Sequence, residues 1–241
     1  MSSSSFDSPR RGNHLLSLLS SDAYSEVEPL LQPIRLETKQ HLHQHGMPLS
    51  YVYFPSTAVI SALLPMKEGP AIEIGTIGNE GYCASEMSTG AETSLHDYIC
   101  QIEGEALYMK VADFGHLVER VPELRRLAGA YLQGFLTQIS QSVTCNSLHD
   151  LESRFARWLL FTQDRVRSDR FALTQDFLAE MLAVQRPSVS LVANTFQRAG
   201  LIEYSKGSMQ ILEREKLEEA SCDCYFKIRN QFRRLLSIPS R

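Results

Sequence analysis

The stretch from Leu173 to Ile202, LTQDFLAEMLAVQRPSVSLVANTFQRAGLI, decides the fold of this chain. Thr174 is a favourable N-cap, and the apolar residues that follow it share one face of a short predicted helix. After a brief link, a second helix is predicted to begin at Arg186-Pro187, because proline is favoured in the first helical turn. Gly200 is typical of the end of a helix. The stretch therefore predicts two short helices joined by a tight turn.

Two helices with so short a link need a third helix to cover their apolar faces. Residues 151–166 supply it, because Phe155, Trp158 and Leu159 recur there at helix-like intervals. This arrangement is the trihelical helix-turn-helix, whose second helix lies in the major groove of DNA. Apolar runs on both sides of residues 205–208 predict a strand, a tight turn and a strand, which form a wing with Lys206 at its tip.

The spacing of the apolar residues before this module changes twice along the chain. From Ile34 to Met109, short apolar runs are separated by Gly and Pro at roughly 8–12-residue spacing, which is typical of a small antiparallel barrel or jelly roll. From Glu123 to Asn146, apolar residues at steps of three and four predict a long amphipathic helix. A shorter helix is predicted at His14 to Leu31. We therefore expect a disordered tail at 1–13, a β-barrel sensor domain at 14–122, a dimerisation helix at 123–149 and a winged helix-turn-helix DNA-binding domain at 150–241.

The apolar stripe of the long predicted helix is narrow, and Gln and Ser flank it. This pattern favours pairing with a second copy of the same helix. The alternative is that the stripe packs against the chain's own barrel. The predicted dimer interface consists of Leu124, Leu127, Tyr131, Phe135 and Ile139.

Composition and charge narrow the class of protein. The hydrophobic fraction of 43% allows a sizeable core. No apolar run approaches the roughly 18 residues that a membrane span needs, and no secretory signal opens the chain, so a cytoplasmic location without membrane contact is expected. Residues 1–149 carry 9 Lys+Arg against 16 Asp+Glu, a balance of −7, whereas residues 150–241 carry 15 against 12, a balance of +3. A polyanionic partner is therefore expected only at the carboxyl-terminal half.

Cysteines, histidines and catalytic motifs give weaker signals. The five cysteines are an odd number, which favours reduced thiols over a disulfide scaffold. Cys222 and Cys224 have no second pair nearby, so a zinc or iron–sulfur site is disfavoured, and a partly buried helix end is favoured over a redox-active pair. His41, His43 and His45 alternate and could hold a metal on one face of a strand, but an exposed strand is favoured. The motifs of metalloproteases, α/β-hydrolases and P-loop enzymes are absent, so we predict no catalytic residue, metal or cofactor.

The order of barrel, long helix, helix-turn-helix and wing resembles the Crp/Fnr family of transcription regulators. The phrases YVYFP (Tyr51 to Pro55), EIGTIGNEG (Glu73 to Gly81) and FLAEMLAV…AGLIEYSKGSMQIL resemble a branch of that family. The resemblance covers about Leu15 to Tyr225. It implies an α+β fold with an N-terminal double-stranded β-helix domain of the cyclic-nucleotide-binding type (a jelly roll), a long dimerisation helix and a C-terminal winged helix-turn-helix.

The function that this resemblance implies is sequence-specific DNA binding by a homodimer that reads a palindromic operator. Candidate partners are double-stranded DNA, a second copy of the chain and RNA polymerase. The alternative is an effector-binding or protein-interaction module that does not bind DNA.

The candidate DNA-binding residues fall into two groups. Arg186, at the start of the recognition helix, can form a bidentate contact with guanine, and the resemblance implies base contact at this position; the alternative is a charge on a solvated face. Ser188, Ser190 and Asn194 project from the same exposed side. Candidate phosphate contacts, which fix register rather than sequence, are Thr174, Gln175, Gln185, Ser205 and Lys206. Well-known family members have a glutamate and a second arginine where this chain has Pro187 and Leu191, so a different target sequence is expected.

The sensor domain departs from the cyclic-nucleotide branch of the family. That branch cradles the cyclic phosphate with a Gly-Glu turn and an Arg-Ser or Arg-Thr pair. Residues 81–100 contain no Arg or Lys, and acidic residues dominate the stretch. Because a buried phosphate needs a cation or several N–H donors, cyclic AMP is not expected. The cysteine cluster of the iron–sulfur branch is absent too, and the effector is left open, with haem ligation by a histidine among the alternatives.

Overall fold

The computed structural model describes residues 9–69 and 71–238, and its amino-terminal part is built from two antiparallel sheets. The strands are β1 (Gln32–Leu36), β2 (His41–His43), β3 (Tyr51–Pro55), β4 (Val59–Leu64), β5 (Ile72–Ile77), β6 (Asp97–Ile102) and β7 (Gly104–Lys110). One sheet has the order β1-β7-β3 and the other β2-β6-β4-β5. Phe54, Tyr82 and Tyr98 are fully buried in the core that the sheets share. The predicted jelly-roll domain is confirmed.

Three short helices precede the barrel: α1 (Pro9–Gly12), α2 (His14–Ser17) and α3 (Ser21–Val27). Residues 1–8 of the predicted tail lie outside the described residues, but residues 9–12 form a helical turn, and Asn13 is fully buried. The Asn13 amide donates hydrogen bonds to the carbonyl oxygens of Pro55 and Gly81. The predicted helix from 14 to 31 is broken, because the Ser20 side chain accepts a hydrogen bond from the N–H of Ala23 and begins a new helix.

The long helix is confirmed, but its apolar stripe is covered by the chain itself and is not free to form the predicted dimer interface. After α4 (Val111–Arg120), helix α5 (Pro122–Leu148) runs for 27 residues. Four residues of the predicted dimer interface, Leu124, Leu127, Tyr131 and Phe135, are at most 2% exposed within the single chain, and Ile139 is half-buried against the same core. The stripe therefore packs against the chain's own core, which is the alternative that the sequence left open.

The carboxyl-terminal part contains the predicted three-helix unit and wing. Its elements are α6 (Leu151–Val166), β8 (Arg170–Ala172), α7 (Gln175–Met181), α8 (Arg186–Arg198), β9 (Ile202–Ser205), β10 (Ser208–Ile211), α9 (Arg214–Ala220) and α10 (Asp223–Leu236). The wing has a third strand that the sequence did not predict, since β8 pairs with β10. Helix α10 packs along α5, where the ring of Phe232 covers Gly134.

Three glycines of the EIGTIGNEG phrase allow the helices to approach the barrel closely. A Cβ atom on Gly75 would lie 2.5 Å from the Gln138 side chain, and one on Gly78 would lie 2.4 Å from the Arg165 side chain. On Gly81 it would lie 1.8 Å from the Tyr131 ring. Since interiors are close-packed, any side chain at these positions would push α5 or α6 away from the barrel.

Several polar contacts join α6 to the barrel, among them an ion pair and a hydrogen bond from an indole. Arg165 and Glu80 are both buried, and Nη2 of Arg165 lies 2.8 Å from Oε1 of Glu80. The indole Nε1 of Trp158 donates a hydrogen bond of 2.8 Å to Oε2 of Glu73 on β5. One continuous hydrophobic core includes residues from both parts of the chain, so the predicted domain boundaries stay predictions.

None of the helices in the described part of the chain combines the length and the apolar character that crossing a membrane requires.

Candidate DNA interface

The turn between α7 and α8 is short and has a left-handed residue. Thr174 caps α7, because its Oγ1 accepts a hydrogen bond of 3.2 Å from the N–H of Phe177. Helix α7 ends at Met181, and Ala183 then adopts a φ of +52°. An alanine in this region costs about 1–2 kcal/mol relative to the right-handed conformation. The turn between the two helices therefore carries backbone strain at Ala183.

One face of α8 is buried and holds the helix in place. Val189, Val192, Ala193 and Phe196 are at most 5% exposed. The ring of Phe196 meets that of Phe155 on α6 edge-to-face, with 5.4 Å between the ring centroids. Packing against α6 thus fixes which face of α8 points outward.

The opposite face of α8 is open to solvent and forms a shallow groove. Its lining residues are Arg186, Pro187, Ser190, Leu191 and Asn194. Three of these residues, Arg186, Ser190 and Asn194, are DNA contacts predicted from the sequence, whereas Leu191 was predicted only to differ from well-known family members. Leu191 is 69% exposed.

Arg186 is exposed and held only loosely. Its Nε lies 3.4 Å from Oδ1 of Asp176 on α7, and the two side chains are 62% and 70% exposed. Exposed ion pairs contribute little, typically about 0–1 kcal/mol. The guanidinium can therefore exchange this partner for another at small cost.

Two other candidate DNA-binding residues, Ser190 and Gln175, form a hydrogen bond with each other. The Ser190 hydroxyl donates a hydrogen bond of 2.7 Å to Oε1 of Gln175 across the turn, and both residues are half-buried. Ser188 is half-buried as well, whereas Gln185 and Asn194 are exposed. Gln185 is the N-cap of α8, but its side chain makes no capping hydrogen bond. The amino end of α8 is therefore held without a side-chain cap.

The wing is fastened beside α8. Lys206 and Gly207 both have positive φ, and they join β9 to β10 as a two-residue turn of type I′. The N–H of Leu173 donates to the carbonyl oxygen of Gly207, and the Tyr204 hydroxyl donates to the carbonyl oxygen of Leu173. Ser205 and Lys206 are exposed at the tip, so they project from a turn that is fixed to the start of α7.

Two exposed residues of α8 were missed. Thr195 and Arg198 continue the outward face toward the carboxyl end of the helix. A signal was present in the sequence, since Thr195 lies four residues after Leu191 and Arg198 lies four residues after Asn194.

The three histidines that alternate in the sequence do not converge. His43 is 7% exposed, and Nε2 of its ring lies 2.9 Å from the Tyr51 carbonyl oxygen; burial lowers its pKa. His41 and His45 are exposed, and the ladder shifts register between His41 and His43. Among the described residues, one group has metal-binding geometry, and it is formed by Cys145, His149, Cys222 and Cys224.

The barrel interior is filled by aromatic side chains and a buried acid. Glu86 is 5% exposed, and its carboxylate accepts hydrogen bonds from the Tyr98 hydroxyl and the N–H of Leu95. Burial raises the pKa of Tyr98 well above its usual range. The ring of Tyr82 lies 5.0 Å from that of Tyr131 on α5.

Comparisons with known proteins agree with this geometry. Residues 153–220 match the sequence profile of the Crp-like helix-turn-helix domain. FixK2 from Bradyrhizobium japonicum has a similar fold, with a TM-score of 0.68 and 13% identity over 80% of this chain and 98% of that chain. The c-di-GMP responsive global regulator CLP from Xanthomonas campestris has a TM-score of 0.64 and 13% identity over 80% and 99%. A CRP/FNR-family transcriptional regulator from Thermus thermophilus has a TM-score of 0.62 and 17% identity over 79% and 98%.

No curated protein matches the sequence. The matched profile spans α7, α8 and the wing, which are the elements that form the open groove. Residues 153–220 therefore form a Crp-like helix-turn-helix domain, and the described residues share the fold of solved Crp/Fnr-family regulators.

Proposed function

We propose that this chain is a transcription regulator that reads a palindromic DNA site as a homodimer, with α8 of each copy in a major groove. The observation that carries the proposal is the outward face of α8. It places Arg186, Leu191 and Asn194 in one groove, beside a rigid wing that carries Lys206. A helix of this kind presents its amino-terminal residues to the edges of the bases.

Direct reading of bases falls to three side chains. Arg186 can leave its weak pair with Asp176 and bind O6 and N7 of guanine, a contact worth about 1–3 kcal/mol of discrimination. Asn194 can bind N6 and N7 of adenine. Leu191 is apolar and exposed, so we expect it to pack against the methyl group of a thymine.

Phosphate contacts fix the register of α8 on the duplex. Lys206 and Ser205 lie at the tip of the wing, and a cation there favours DNA of every sequence. Gln185 stands at the amino end of α8, where uncapped N–H groups and the helix dipole favour a phosphate. The Thr174 and Gln175 side chains already have partners within the protein, so we expect them to contribute less.

The face of α5 that is directed away from the core supports pairing of two copies. Leu136 and Val143 are 54% and 64% exposed there, and Leu132 is half-buried. Gly129 lies on the same side, and a Cβ atom at this position would meet nothing within 4 Å. These four residues recur at helical spacing, which suits close packing against an identical helix. We propose this face as the dimer interface in place of the buried stripe.

The oligomeric state of a charged variant tests the interface. We expect Leu136→Glu to convert the dimer to a monomer in sedimentation equilibrium, because it places two charges at the symmetric contact. Leu95→Glu is the matched control, since Leu95 is 52% exposed on the barrel. A Leu136→Glu protein as dimeric as the control would contradict the proposal.

Selection of duplexes from a random pool tests the DNA site. We expect the purified protein to enrich an inverted repeat whose half-sites lie about 10 bp apart, because two-fold-related helices enter successive grooves. If no sequence is enriched at low salt, with or without cell extract, the alternative of an interaction module without DNA binding is favoured.

We further propose that the barrel responds to a signal other than cyclic AMP. The buried Glu86 carboxyl group and the absence of Arg and Lys from residues 81–100 support this, because a buried phosphate anion needs a cation or several N–H donors. Titration calorimetry should detect no binding of cyclic AMP, and saturable binding would refute this part. Control of transcription implies RNA polymerase as a further partner and a cytoplasmic site of action.

A further inference from the structure

Four side chains with metal-binding atoms meet where the end of α5 lies against the start of α10. Cys145 and His149 come from the end of α5 and the link after it, and Cys222 and Cys224 come from the start of α10. Their ligand atoms all lie within 4.8 Å of one another. The three cysteines are at most 7% exposed, and they form a small cluster separate from the main core.

The distances fit a single tetrahedral ion. Sγ of Cys145 lies 3.4 Å from Sγ of Cys222, and Sγ of Cys224 lies 3.6 Å from Nδ1 of His149. Zinc–sulfur bonds of 2.3 Å place the sulfurs of a tetrahedral site about 3.8 Å apart. An iron–sulfur cluster holds its thiolates farther apart, because several ions lie between them. A disulfide would use two of the four groups and leave Cys224 and His149 unexplained.

The donor set selects zinc among common ions. Three thiolates and one imidazole form a Cys₃His site, which is a standard closed set for structural zinc. Asp223 stands where the outer partner of such a histidine is found, since its Oδ1 lies 3.7 Å from Nε2 of His149, slightly beyond hydrogen-bond distance. With Nδ1 directed at the thiols, Nε2 is the nitrogen left to donate to the carboxylate.

Two arginines beside the cluster supply compensating charge. A zinc ion with three thiolates carries a net charge of −1. The positive charge of Arg157 acts on all three thiol groups, and Arg157 is only 8% exposed. Among the described residues, the buried Nε atoms of Arg154 and Arg157 lack a hydrogen-bond partner, which is costly unless a nearby anion compensates. An anionic metal centre would compensate the charge at these two Nε atoms, in addition to the contacts that Arg154 makes with the Leu182 carbonyl oxygen and Arg157 with the Phe161 ring.

We propose that Cys145, His149, Cys222 and Cys224 bind one Zn²⁺ ion that fastens the carboxyl end of α5 to the amino end of α10. Each thiol releases its proton to solvent as it binds, and no electron is transferred. Because α10 also packs against α6, the ion would hold the winged helix-turn-helix in a fixed position on the long helix. The inference does not depend on which DNA sequence the protein binds.

Metal analysis of the purified full chain tests the proposal. We expect about one zinc ion per chain, and less than about a tenth of that in Cys222→Ser and Cys224→Ser. Cys83→Ser and Cys100→Ser are matched controls, because these buried cysteines lie in the barrel and should leave the zinc content unchanged. A wild-type protein that contains no zinc and binds neither added Zn²⁺ nor Co²⁺ stoichiometrically overturns the proposal.

A variant of the exposed residue Asp223 tests zinc binding if the cysteine variants do not fold. Asp223→Asn should weaken zinc binding about 10-fold, which is the usual effect of losing such a partner. Asp223 also pairs with Lys227 at 2.6 Å, so Lys227→Met is the control that removes this ion pair and should leave the zinc affinity unchanged.

The spectrum of the Co²⁺-loaded wild-type protein gives an independent readout. Tetrahedral thiolate coordination predicts strong thiolate-to-cobalt charge-transfer bands together with visible d–d bands. Octahedral cobalt bands, iron–sulfur absorbance of the isolated protein, or a Cys145–Cys222 disulfide in peptides from the freshly purified protein would overturn the proposal.

Discussion

Glu73 is a buried carboxylate that links the barrel to the DNA-binding part, and its titration can be predicted. Its Oε1 accepts a hydrogen bond from the Ser61 hydroxyl, and its Oε2 accepts one from the Trp158 indole, both at 2.8 Å. Burial raises the pKa of Glu73 to about 7, although these hydrogen bonds and the charges of Arg157 and Arg165 act in the opposite direction. The folded protein therefore binds this proton more tightly than the unfolded chain does.

The sign and size of the effect follow from linkage. A folded pKa above the unfolded value means that the contribution of Glu73 to stability is fully present below about pH 4.5 and is lost as pH rises through about 7. The full shift corresponds to about 3 kcal/mol. Residual contact of Glu73 with solvent reduces this, so we expect a loss of about 1–2 kcal/mol in the free energy of unfolding.

The variant Glu73→Gln isolates this group. It keeps the shape and an oxygen acceptor for the indole but carries no charge, so it should be about 1–2 kcal/mol more stable than the wild type at pH 8 and equal to it near pH 4. Urea unfolding can be followed by the fluorescence of Trp158, the single tryptophan. Glu92→Gln, at an exposed position, is the control. Equal differences between Glu73→Gln and wild type at both pH values would refute the reasoning.

Three further changes test the turn, the coupling and the base contact. Ala183→Gly should raise the free energy of unfolding by about 1 kcal/mol, because glycine adopts the left-handed conformation without strain. Ala199→Gly is the control and should give no increase, since Ala199 has a φ of −78°. Equal effects of the two changes in urea unfolding would contradict this prediction. Arg165→Met should lower the free energy of unfolding by about 3–5 kcal/mol in the same assay, because it leaves Glu80 buried without its partner. The double variant Arg165→Met/Glu80→Leu should recover most of this loss. No recovery would show that the broken ion pair is not the cause. Leu191→Ala should weaken binding to the selected DNA site by about 1 kcal/mol. Replacing the contacted thymine by uracil should weaken binding of the wild type but not of the variant, because uracil lacks the methyl group. Additive losses in gel-shift titrations would rule out the methyl contact.

The DNA-binding part could be predicted closely from the sequence because its signals are local. The predicted helix at 151–166 coincides with α6, and Thr174 caps α7 as expected. The type I′ turn at Lys206-Gly207 lies where the pattern of strand and turn residues indicated it. Each signal depends on residues within one or two turns of each other, so no long-range contact had to be known.

The stripe on α5 was misassigned because periodicity identifies a face but not what covers it. Tyr131 and Phe135 pack against the barrel. Helix α5 also has a second apolar face, at Leu136 and Val143, which is exposed. The glycines at 75 and 81 were the available signal, since they leave room for α5 against the barrel.

The cysteine and histidine group could not be found from spacing rules. Cys145 and Cys222 are 77 residues apart, and packing of α10 on α5 brings them together. The three alternating histidines are close in sequence but do not converge in the structure. Alternation places side chains on one face only along an unbroken strand, and β2 ends at His43.

The most direct test of the central claim is a base-by-base profile of binding free energy on the selected site for wild type, Arg186→Ala and Lys206→Ala. Arg186→Ala should lose about 1–3 kcal/mol of discrimination at one base pair in each half-site and leave the other positions unchanged. Lys206→Ala should weaken binding to all sequences alike and reduce the salt slope by about 1. A uniform loss for Arg186→Ala, with an unchanged profile at every base pair, would contradict the claim that α8 reads the bases.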